Sequence, residues 1–111
     1  MVIYSEMIVR ILSMGFAKAV TVYPFIFLKY KEDLNNKTLL NHEKIHLAQQ
    51  KELFFIGFFI LYFYHFFKIR TYFNNKTAAY RAICFEKESK INENILDYLI
   101  NRKKYSWKKY A

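Results

Sequence analysis

The chain has 111 residues, enough for one domain with a modest core and too few for a second functional module. Its single cysteine, Cys84, excludes an internal disulfide and a cysteine-based zinc cluster. Eighteen Lys and Arg against nine Asp and Glu leave a net charge of +9, which favours contact with something anionic, phospholipid or nucleic acid.

The segment Met1 to Val9 does not read as a secretory signal, because Glu6 interrupts it, Arg10 follows it and no cationic stretch precedes its apolar residues. A cytoplasmic protein is expected, peripheral to the inner face of the membrane if it binds lipid. Gly15, Gly57 and Pro24 are the only glycines and proline, so nothing resembles a linker and residues 1–111 read as one unit. Residues 1–37 are expected to hold the strands. Between Ala17 and Lys29, Val20, Val22, Tyr23, Phe25, Ile26, Phe27 and Leu28 are β-branched, aromatic or aliphatic, which suits a short hairpin, and Pro24 would confine its strand to a sheet edge.

A polar stretch with Asn35-Asn36 then marks a turn, and Asn36 or Thr38 can cap a helix over residues 38–52. That helix carries His42-Glu43-Lys44-Ile45-His46. Histidines at i and i+4 share a helix face and can present both imidazoles to one metal ion, with Glu43 placed to take a proton from a water on that ion. Near neutral pH both imidazoles are expected to be mostly neutral, as zinc binding requires.

Residues 53–73 form an apolar helix. Its block Leu53 to Phe67 is 15 residues long, short of the ~20 needed to span a bilayer, so it is either a buried backing helix or an interfacial one. After Asn74-Asn75, residues 77–101 read as one helix, with Ala78, Ala79, Ala82, Ile83 and Phe85 at spacings of three and four. Glu86 and Glu88 interrupt that pattern on different faces, which is where a third metal ligand is expected. Cys84 reads as a small core residue. Tyr80 and His65 are candidates either to donate to an oxyanion or to pack with a satisfied polar tip, and Gln49 and Gln50 to orient the site. The tail 102–111 interleaves cations with Tyr105, Trp107 and Tyr110, a pattern suited to an anionic membrane surface.

His42 to His46 followed by Gln49-Gln50, then Ala79-Tyr80-Arg81 and Phe85-Glu86-Lys87-Glu88-Ser89, resembles the gluzincin-type zinc metallopeptidases, and most closely the smallest of them. From Thr21 to Tyr110 the chain is also similar to short bacterial proteins sharing HExxHxxQQ, AYRxxxFExEA and a basic aromatic end. The resemblance implies that Glu86, rather than Glu88, is the third zinc ligand, on a later "glutamate helix". Ser89 stands where the family often has Ala. Lys90 stands where many members have Asp, which leaves a histidine without its usual carboxylate partner.

The expected fold is α+β and mostly helical: a short hairpin, an HExxH helix, an apolar helix and a glutamate helix. The expected activity is hydrolysis of a peptide or protein substrate, with Zn2+ held by His42, His46 and Glu86, and Glu43 as the catalytic base. An edge strand near Tyr23 to Phe27 would hold an extended substrate by strand addition. The alternative is a non-catalytic, membrane-associated zinc-binding or scaffold protein. Nucleic acid is not an expected partner, since such binding leaves the acidic helix unexplained.

Overall fold

The computed structural model describes residues 1–13 and 17–111, so residues 14–16 of the expected strand region lie outside the described residues. The fold is α+β and mainly helical. Strand β1 (Val2–Tyr4) leads into helix α1 (Glu6–Ser13), and strands β2 (Ala19–Val22) and β3 (Phe25–Leu28) form a hairpin. The sheet order is β1-β3-β2, with β1 parallel and β2 antiparallel to β3. Sequence reasoning placed the Pro24 strand at an edge. Pro24 instead occupies the turn between Val22 and Phe25, where its missing N–H costs no ladder bond, and β3 is the central strand.

The edges are therefore β1 and β2, and β2 is the one beside α2. Lys29 N–H donates to Lys18 O, so the alternation of an antiparallel pair turns the main-chain groups of Ala19 and Thr21 away from β3. Gln50 already uses part of that edge: its Nε2 donates to Thr21 O at 2.7 Å, and its Oε1 accepts from Tyr23 N–H at 2.7 Å. Val9, Ile26 and Leu28 fill the space between α1 and the sheet and are almost completely buried.

Helix α2 (Lys37–Glu52) begins where expected, with the Asn36 side chain accepting from Leu39 N–H. The chain then breaks. Phe54 and Phe55 adopt φ of 55° and 66°, and helix α3 (Ile56–Arg70) leaves at 111° to α2. Left-handed backbone at two phenylalanines is strained, and it folds α3 back so that Phe58 reaches the core and faces His46 with ring centroids 6.2 Å apart. No single helix among the described residues is long and apolar enough to cross a membrane.

The expected glutamate helix is not continuous. It divides into α4 (Lys76–Ala82), α5 (Cys84–Asn92) and a short α6 (Tyr98–Asn101), with the first break at Ile83, whose ψ of 134° is extended. Residues 102–111 are likewise not a free tail. Trp107 is buried against Phe85 at 5.0 Å, and Asn92 donates to the Tyr110 hydroxyl, so two aromatic residues expected at lipid headgroups belong to the protein's own packing. With Phe58, Ile83, Cys84 and Phe85, Trp107 forms the core behind the helices. Burial pushes the Cys84 thiol up to about 11, as suits a packed, unreactive cysteine.

Candidate metal centre

Two helices supply the centre. One turn of α2 separates His42 from His46, so both rings project from the same face, and α5 brings Glu86 against them. Glu86 Oε1 lies 3.4 Å from His42 Nε2, and Glu86 Oε2 lies 3.1 Å from His46 Nε2. The donor atoms of the three residues all lie within 4.8 Å of one another. Bonds of ~2.0–2.1 Å in a tetrahedron put neighbouring ligand atoms about 3.3 Å apart, close to the two His–Glu separations.

The far side of each imidazole fits the same reading. His42 Nδ1 is 2.9 Å from Glu93 Oε2, and His46 Nδ1 is 2.8 Å from Gln49 Oε1. With those oxygens accepting from Nδ1–H, each Nε2 presents its lone pair to the shared point. His42, His46 and Glu86 therefore form a group that could hold a metal ion.

Electrostatics hold the cluster together. Burial alone would lower His46, but the Glu86 carboxylate outweighs it and raises the imidazole to about 9. Burial alone would raise Glu86, and the two histidines instead hold it well below the usual carboxylate range. Proton and metal ion therefore compete for the same His46 nitrogen, so metal binding there should release a proton.

Glu43 faces the same centre. Its Oε1 accepts from Thr21 Oγ1 at 2.9 Å, and its Oε2 lies 3.7 Å from His42 Nε2. The hydroxyl from β2 therefore fixes a carboxylate from α2 beside the cluster. Two cavities, of about 430 and 500 Å3, open on this point, and both are lined by Ala17, Ala19, Glu43 and Tyr80. The larger has an apolar wall made by Phe59, Phe63 and Phe66 of α3, with His46 and Glu86 at its base.

Glu88 is turned elsewhere. It is fully buried and takes hydrogen bonds from Arg102, Tyr98 and Gln49, while Arg102 also reaches both carboxylate oxygens of Glu52. Tyr80 stands in the cavities with a polar partner, and Tyr62 donates to Glu86 Oε2 at 3.2 Å. Desolvation, reinforced by Glu86, raises both phenols, so both stay protonated at neutral pH. His65 lines neither cavity and packs near Phe85, leaving it outside the centre. Gln49 orients His46 and ties it to α5, whereas Gln50 fastens α2 to the edge strand.

Sequence reasoning missed Glu93, Thr21, Tyr62 and Arg102. Glu93 fills the role for which an Asp was sought at Lys90. It lies seven residues beyond Glu86, two helical turns on and nearly the same face, and that spacing was a readable signal. Asn41 holds its turn in place by donating to Glu93 O at 2.9 Å and Ile95 O at 3.0 Å. Ser89, in the position where Ala was expected, is buried with its hydroxyl 3.5 Å from His46 Nδ1. Glu93→Ala is expected to weaken metal binding about 10–100-fold with little change in thermal stability. Titration against a chromophoric chelator measures this, and an unchanged affinity would remove Glu93 from the centre.

No protein-family model, curated protein or solved structure matches the chain. The class of site rests on its geometry: a two-histidine, one-glutamate group, with a further glutamate beside it, at the meeting of two cavities.

Proposed function

We propose that this chain is a small zinc-dependent hydrolase of peptide bonds. The observation that carries the reading is the convergence of His42 Nε2, His46 Nε2 and the Glu86 carboxylate, each imidazole held from behind, with Glu43 at the same point. Two nitrogens and a carboxylate suit zinc, and a set of three protein ligands leaves a fourth position for water. A structural site would close that position with a fourth protein ligand, which speaks against the scaffold reading.

Zinc held by these residues would supply a Lewis acid that polarises the carbonyl and makes water more acidic. Glu43 accepts the proton of the attacking water, held for that task by Thr21. Tyr80, protonated and lining both cavities, is the residue best placed to donate to the oxygen on which charge develops. The free edge of β2, rather than the Tyr23 to Phe27 segment expected from sequence, offers Ala19 main-chain groups to an extended substrate. Peptide bonds are preferred over other acyl substrates because such an edge recognises a main chain.

Glu43→Gln should retain the metal and its affinity while lowering turnover of a quenched-fluorescent peptide library about 10²–10⁴-fold. Turnover equal to wild type would remove Glu43 from the reaction. Absence of turnover in the metal-loaded wild type would contradict the peptidase reading and leave the metal centre standing.

A further inference from the structure

Helix α3 divides its surface three ways. At 100° per residue, Phe58, Tyr62 and His65 turn toward Phe85 and the core, Phe59 and Phe66 toward the larger cavity, and Ile56, Ile60, Phe63, Tyr64 and Phe67 form a third, outer group, of which Phe63 alone also lines that cavity. The third group spans about 100° of helix surface, and its members are 53–66 % exposed. Phe54, 88 % exposed, extends the stripe at one end, and Tyr72, 79 % exposed, follows its other end. An aliphatic and aromatic stripe roughly 20 Å long is large for a surface that faces only water.

Its charges identify what it meets. No Asp or Glu occurs from Leu53 to Phe85, while exposed Lys51 precedes the stripe and exposed Lys68 and Arg70 end it. A second copy packed stripe to stripe would place Lys68 and Arg70 on their own equivalents if parallel, or on Lys51 if antiparallel. Neither arrangement supplies a carboxylate from this segment, and each chain already carries +9. An anionic lipid surface reverses the sign at both ends: phosphates meet the cations, Tyr64 and Tyr72 sit among headgroups, and the aliphatic and phenyl side chains enter the acyl boundary. We infer that α3 lies flat on an anionic bilayer with its outer stripe seated in the interface. Of the two lipid contacts expected from sequence, α3 has the exposed apolar face, whereas Trp107 of the basic tail is committed to the core. Phe63, shared between stripe and cavity wall, puts the apolar side of the larger cavity next to the lipid. This docking is independent of metal binding and of hydrolysis.

The full chain is sedimented with large unilamellar vesicles of phosphatidylcholine alone or mixed with phosphatidylglycerol. Stronger binding to the mixed vesicles is expected, with the excess shrinking as salt rises. Ile60→Ser combined with Phe67→Ser changes no charge and should weaken binding roughly tenfold or more at an unchanged melting temperature, since two apolar side chains leave the interface. Ile100→Ser, at an 83 % exposed residue on α6, should bind as wild type does. Wild-type protein that stays in the supernatant, or a double variant that binds equally well, would overturn the inference. Self-association without lipid that the double variant abolishes would assign the stripe to a second copy and overturn it as well.

Discussion

Replacing His42, His46 or Glu86 by alanine is expected to abolish stoichiometric zinc binding, each costing more than the ~10–100-fold that loss of an outer hydrogen-bond partner costs. The three side chains approach one point from two helices, and removing any of them leaves two ligands where three are needed for a metal that also keeps a water. Glu88→Ala provides the internal contrast. It lies two residues from Glu86, but its carboxylate is consumed by Arg102, Tyr98 and Gln49 and does not face the histidines. Metal content should therefore fall with Glu86→Ala and persist in whatever fraction of Glu88→Ala remains folded. Loss in Glu88→Ala with retention in Glu86→Ala would move the third ligand by two residues and refute the assignment.

The second large effect belongs to the Glu52–Arg102–Glu88 triad. Side chains of all three are at most 6 % exposed, and they join the end of α2, the middle of α5 and the C-terminal segment. Taking one member from a buried network of charges leaves the others desolvated and unpaired, so Arg102→Ala should lower unfolding stability by about 3–5 kcal/mol. That is a large part of the ~5–15 kcal/mol by which a domain of this size is stable. Urea unfolding followed by circular dichroism measures it, and a cost below ~1 kcal/mol would show the triad to be solvated. Apolar replacement of all three together should be far less damaging than the sum of the single losses, because no orphaned charge remains.

The motif helix was legible because its signal is local: a turn with Asn36, then two histidines and a glutamate whose common face follows from helical spacing alone. Glu86 over Glu88 was legible only through resemblance, since composition gives two carboxylates equal weight and only the packing of α5 separates them. The hairpin was visible in its β-branched and aromatic run, but Pro24 lies in its two-residue turn, and which hairpin strand is central depended on pairing with β1 from the far N-terminus. The uninterrupted apolar block concealed its own division. Period and hydropathy cannot show that one side of α3 faces core, one a cavity and one the outside when every side is apolar. Trp107 and Arg102 looked like parts of a basic tail because their partners lie in the middle of the chain: Phe85 and Glu88 from α5, and Glu52 from α2.

Anomalous diffraction at the zinc absorption edge, from crystals of protein purified without added metal, tests the central claim most directly. The account predicts one strong peak per chain, about 2.0–2.1 Å from His42 Nε2, His46 Nε2 and a Glu86 carboxylate oxygen, with Glu43 beside it and outside bonding distance. A chain with no peak after soaking in zinc, or with its peak on other residues, would contradict it.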